Sequence, residues 1–125
     1  MVRMTLKKFK RIAREAIQSL PDIFLPHVER LDIRVKARAS PRQRRELELL
    51  DDEDLYGLYE GVPLTEASRD DEPDVPPRIT LFYEPLIADC ETDEALRREI
   101  QITILHEIGH FFGLDEDDLE RLGYG

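Results

Sequence analysis

His106-Glu107-Ile108-Gly109-His110 carries two imidazoles four residues apart, with a carboxylate directly after the first. On a helix, side chains at i and i+4 share one face, one turn apart. Both rings can then reach a single Zn²⁺ at about 2.0–2.1 Å. Glu107 sits beside the first ring, where its carboxylate reaches a water on the metal rather than the metal itself. Two fixed ligands, a base and space for water are what metal-assisted hydrolysis needs. The bland alternative, two helix histidines with structural roles, does not account for the glutamate between them.

A catalytic zinc site takes three protein ligands and leaves one position to water. Only 15 residues follow His110. The third ligand is therefore expected from the turn after Gly113 or from upstream. Gly113 can take a positive φ and turn the chain back toward the histidines. Glu116 is the first choice, with Asp115 and Asp117 as rivals. The same acidic run, Asp115 to Asp118, also reads as the N-cap and first turn of a short final helix with Leu119 and Leu122 facing inward.

The histidines need a helix to hold them. Thr92 is an N-cap candidate, and Asp93 and Glu94 suit the positive helix end. Leu96, Ile100, Ile104, Ile108 and Phe111 then form an apolar stripe ending at Gly113, a left-handed C-cap. Upstream, Leu6, Phe9, Ala13, Ala16, Ile17 and Leu20 predict an opening amphipathic helix, and Pro21 and Pro26 a break. Alternation from Leu31 to Arg38 predicts a half-buried strand. Ser40-Pro41-Arg42 opens a charged connection to about Asp54. Leu55 to Gly61 reads as a short strand, and Pro63 to Pro77 as an acidic, proline-rich loop. Arg78 to Tyr83 is the clearest strand, with Ile79, Leu81 and Tyr83 on one face and Pro85 ending it. A substrate peptide can add as an extended strand beside residues 79–83. The order helix, strand, strand, strand, helix, helix predicts an α+β domain, a small sheet covered by the long helix.

At 125 residues, 1–125 is read as one domain. No apolar run approaches the roughly 20 residues of a membrane span. The basic opening lacks a secretory signal's apolar centre, so a cytoplasmic location is expected. The single Cys90 agrees with a reducing compartment and reads as incidental. The net charge of −10 is uneven. Residues 1–48 hold 13 Lys/Arg and 6 Asp/Glu, giving +7; residues 49–125 hold 5 and 22, giving −17. No nucleic-acid motif accompanies the basic half. The expected partner is a peptide or protein substrate, basic or neutral rather than polyanionic, with no nucleic acid or membrane.

The chain resembles the small zincin-like metallopeptidases of bacteria. The likeness rests on Leu58-Tyr59-Glu60-Gly61-Val62-Pro63-Leu64-Thr65, Arg78-Ile79-Thr80-Leu81-Phe82, and His106-Glu107-Ile108-Gly109-His110-Phe111-Phe112-Gly113-Leu114. The resemblance implies a minimal zincin-like domain: a small mixed β-sheet packed on an active-site helix, with an N-terminal and a short C-terminal helix. It implies a zinc metallopeptidase in which His106 and His110 bind the metal and Glu107 is the general base. Glu116 lies where the extended metzincin-like pattern carries its third ligand, more familiarly His or Asp. The methionine turn of true metzincins is missing, since Met1 and Met4 are the only methionines.

The expected reaction is peptide-bond hydrolysis by a Zn²⁺-bound water activated by Glu107. Among the phenols Tyr56, Tyr59, Tyr83 and Tyr124, nearness in sequence favours Tyr124 for steadying the oxyanion. Two alternatives stand beside this one. The domain can be a catalytically inactive zinc-binding interaction module of zincin fold, or two His and a carboxylate can hold Fe²⁺.

Overall fold

The structure is a computed structural model that describes residues 4–60, 77–109 and 113–124. It is a mixed α+β arrangement, as the pattern predicts. The elements run α1 (Leu6–Gln18), α2 (Leu25–Val28), β1 (Asp32–Lys36), α3 (Pro41–Glu46), β2 (Gly57–Glu60), β3 (Arg78–Phe82), α4 (Tyr83–Asp89), α5 (Asp93–Gly109) and α6 (Glu116–Arg121). Most of the expected loop at Pro63 to Pro77 lies outside the described residues.

The three strands form one mixed sheet in the order β1-β3-β2. β1 pairs with β3 in parallel, Ile33 opposite Ile79 and Val35 opposite Leu81. β2 pairs with β3 antiparallel, Tyr59 opposite Ile79 and Gly57 opposite Leu81. Strand side chains alternate between faces, so Ile33, Val35, Ile79, Leu81, Gly57 and Tyr59 share one face. α1 and α5 pack with that face around Phe9, Ile12, Ala16, Ile100, Ile104 and Ile108.

Backbone pairing decides which edges stay open. The Asp32 N–H donates to Pro77 O (2.9 Å). In a parallel ladder, Asp32, Arg34 and Lys36 then turn their amides and carbonyls toward β3, and Ile33 and Val35 turn theirs outward. On the other side Phe82 N–H donates to Tyr56 O (2.9 Å). That makes Leu58 the inward-bonded residue of β2, and Gly57 and Tyr59 the outward ones. β3 is bonded on both sides, so no peptide can add beside residues 79–83. Two strong strands are legible at 31–38 and 78–83, but their alternation does not say which is central.

Four local expectations are corrected. The connection after Ser40 holds α3, started by a capping box in which Ser40 Oγ accepts from Gln43 N (3.0 Å) and Gln43 Oε1 from Ser40 N (2.9 Å). Its signal, Ser-Pro-x-Gln, is present in the sequence. Tyr83 opens α4 rather than closing β3. Pro85 is the third residue of α4, where a missing N–H costs no intrahelical bond. Short α2 fills the predicted break, with Pro26 in its first turn. Leu119 is buried as expected, but Leu122 is 47% exposed because α6 ends one residue before it.

Candidate active site

α5 carries His106 and Glu107 in its last turn. Thr92 caps its start, its Oγ1 accepting from Ala95 N (3.0 Å). Its described part ends at Gly109. Gly113 has φ 72°, the left-handed conformation expected of a C-cap glycine, and Leu114 N–H donates to Gly109 O (2.9 Å). His110, Phe111 and Phe112 lie outside the described residues, so the second imidazole's position is not part of this geometry.

Glu107 is half-buried, and its Oε1 accepts the Tyr59 N–H at 2.7 Å. Tyr59 is an outward-facing residue of β2, so its amide would otherwise meet the open edge of the sheet. α5 reaches it because Gly57 lets the helix come close. A Cβ on Gly57 would stand 2.7 Å from Thr103 Cγ2 and 3.2 Å from Thr80 O. Thr103 and Glu107 are one helical turn apart, and Gly57 and Tyr59 are two strand residues apart. Those repeats, about 6 Å on a helix and about 6.7 Å on a strand, match. The helix therefore meets β2 at two successive points. Gly57 in a strand was the sequence signal for this close approach; the Tyr59 amide itself had none.

His106 is half-buried, and its Nε2 lies 3.1 Å from the Tyr124 carbonyl oxygen. A carbonyl only accepts, so in this contact Nε2 is the donor. Tyr124 thus reaches His106 through its backbone, while its ring lies under the Arg98 guanidinium, 4.8 Å from Cζ to ring centroid. The tail is held there by α6, whose Leu119 packs on Gly109 and whose Leu119 O accepts from Tyr124 N (2.8 Å).

The acidic run is largely engaged in capping. Asp115 Oδ1 accepts from Asp118 N (2.8 Å), and Asp118 Oδ2 from Asp115 N (3.0 Å). The bond from the Asp115 amide holds the Asp118 carboxyl below the usual carboxylate range, with Arg121 assisting. Glu116 is the first residue of α6 and is exposed. Among the described residues no three His, Cys, Asp or Glu gather into a metal-holding group.

Of the remaining phenols, Tyr56 donates to Asp89 Oδ2, and that bond, with burial, raises its pKa. Burial raises the Tyr59 phenol. Tyr83 packs against Phe9, ring centroids 6.0 Å apart. Burial also pushes the Cys90 thiol up, which disfavours the reactive thiolate.

The donor chemistry fits zinc. His106 has one ring nitrogen tied to a backbone carbonyl, the arrangement that orients a metal-binding imidazole and leaves its other nitrogen for the metal when the ring is neutral. Glu107 is adjacent and is fixed by a backbone amide. Among the described residues no helix is long and apolar enough to cross a membrane.

No curated protein matches this chain in sequence. In fold it is similar to a conserved hypothetical protein from T. thermophilus, with a TM-score of 0.58 and 21% identity, over 87% of this chain and 94% of that one. Residues 28–125 match the sequence model of the zincin-like metallopeptidases. That span contains the whole sheet, α5 and α6, and on it the chain belongs to the zincin-like metallopeptidase family.

Proposed function

We propose that the protein is a zinc-dependent peptidase with Glu107 as its general base. The observation that carries this reading is the 2.7 Å bond from Tyr59 N–H to Glu107 Oε1. It fixes a half-buried carboxylate next to a histidine whose ring is held at Nε2 by the Tyr124 carbonyl. A carboxylate has acceptor capacity for several partners, so the bond from the Tyr59 amide does not by itself keep Glu107 from taking a proton.

In this reading His106, His110 and Glu116 hold the ion. When bound, Zn²⁺ polarises the scissile carbonyl and lowers the pKa of water at the site. Glu107 takes the proton from the attacking water and hands it to the leaving amine nitrogen. The Tyr59 amide keeps that carboxylate from swinging away between the two transfers. The Tyr124 carbonyl fixes the His106 ring, and the Tyr124 phenol remains the group proposed to steady the oxyanion. Acidic residues around α6 favour basic or neutral peptides over polyanionic ones.

Elemental analysis with a peptide-library assay tests the proposal. Stoichiometric zinc is expected in the purified protein and is lost in His106→Ala and His110→Ala. Glu107→Gln is expected to keep the zinc and to lose turnover. Zinc retained by His110→Ala, or turnover retained by Glu107→Gln, overturns it. Zinc binding with no turnover in the unaltered protein would instead make the domain an interaction module.

A further inference from the structure

The second open edge of the sheet lies away from α5. Between α1 and β1 runs a groove of about 870 Å³ lined by Lys7, Lys10, Arg14, Ile17 and the strand Ile33–Lys36. Its floor is apolar: Ala13, Ile17, Ile33 and Val35. Its rim is cationic and exposed, formed by Lys7, Lys10, Arg14, Arg34 and Lys36, and among the described residues no acidic side chain lines it. Arg34 is partly neutralised by Asp32 (2.9 Å). Lys7, Lys10, Arg14 and Lys36 form no ion pair among the described residues.

The backbone is equally unpartnered. Ile33 and Val35 point their N–H and C=O groups out of the sheet, and those groups have no partner among the described residues. An edge with free donors and acceptors accepts another strand. Its side chains define what that strand must be. Ile33 and Val35 face the core side with Ile17, whereas Arg34 and Lys36 face the other side. An added strand alternates in step, so one of its faces must be apolar and the other acidic.

We propose that this groove is a docking site for an extended acidic peptide segment, alternating carboxylate and aliphatic residues, which adds to the sheet beside β1. Charge complementarity selects the carboxylates, and the free Ile33 and Val35 amides supply the ladder. Among the described residues the groove lining has no aromatic ring on which bases would stack, which favours peptide over nucleic acid. The site is separate from Glu107 and does not depend on hydrolysis.

Fluorescence anisotropy with the full chain tests this, using a labelled peptide of about eight residues that alternates glutamate with valine. Saturable binding is expected, weakening by about tenfold as salt rises from about 0.05 to 0.5 M. Arg34→Glu with Lys36→Glu, the cations on the face that meets the carboxylates, is expected to weaken it by about tenfold or more, with thermal melting little changed because both residues are exposed. A peptide of the same sequence, N-methylated along one edge, is expected not to bind the unaltered protein. Amide exchange at Ile33 and Val35 is expected to slow when the unmethylated peptide is added. Equal binding of the methylated peptide overturns strand addition. Tighter binding of a single-stranded RNA of equal charge, or of phosphatidylserine vesicles, overturns the peptide assignment. Self-association of the protein that is lost in the charge-reversed variant overturns it in favour of a second copy.

Discussion

The two edges of the sheet have the same backbone logic and opposite surroundings. On β2 the outward Tyr59 amide is taken by Glu107, and Gly57 is pressed under Thr103. On β1 the outward Ile33 and Val35 amides meet no described residue, and cations line the rim. The difference comes from where α5 crosses. One glycine lets a helix close over one edge and bring a carboxylate to it. The other edge has β-branched residues at the matching positions and stands open beside α1. A three-stranded sheet thereby presents one edge met by a helix carboxylate and another whose outward backbone groups meet no described residue.

The contrast can be broken at its strongest point first. Glu107→Gln is expected to lower kcat/KM by about 10²–10⁴, with little change in melting temperature. The amide oxygen still accepts the Tyr59 N–H. Glu107→Ala removes that acceptor and is expected to cost about 1–3 kcal/mol of stability as well, read by urea denaturation.

Next in size is Gly57→Ala. The new methyl collides with Thr103 Cγ2 at 2.7 Å, and a β-branched side chain has little freedom to yield. About 1–3 kcal/mol of destabilisation is expected. Adding Thr103→Ser, which deletes the colliding methyl, is expected to restore much of it in a double-mutant cycle. Full additivity would show that close approach is not what glycine provides.

Tyr56→Phe probes the support behind β2 and is expected to cost about 1 kcal/mol, reduced by partial exposure of the Asp89 bond. Because the folded pKa of Tyr56 is raised, its contribution is complete below the ordinary tyrosine value of about 10 and is lost as pH climbs above it. Unfolding followed across alkaline pH should show stability falling in the wild type more than in Tyr56→Phe.

The smallest effect sharpens the separation of the edges. Lys10→Glu with Arg14→Glu is expected to leave kcat/KM for short neutral peptides unchanged within about twofold.

Much of this was legible in the chain because it depends on local signals. The stripe from Leu96 to Ile108 and the Thr92 cap define the body and start of α5 without help from the rest of the molecule. The α+β class and the family follow from the strand patterns and the His106–His110 segment. Short α4 was hidden because Tyr83 continues the alternation of β3, and Pro85 reads as a stop although it is tolerated in a first helical turn. Strand order was hidden for a different reason. Period-two alternation reports which face is buried, not which neighbour bonds to which side. The contact between Glu107 and the Tyr59 amide spans 48 residues and uses a backbone group, which every residue type offers alike.

The central strand is also the last of the three to be synthesised. β1 ends at Lys36 and β2 at Glu60, yet both bond to β3, which begins at Arg78. On the ribosome the first two strands therefore wait without their ladder partner until the third emerges, and α5 follows some ten residues behind it. The sheet and the helix that positions Glu107 are made within one short stretch of translation. A pause after β2 has left the ribosome and before β3 follows would leave two edge strands exposed together, an interval open to mispairing.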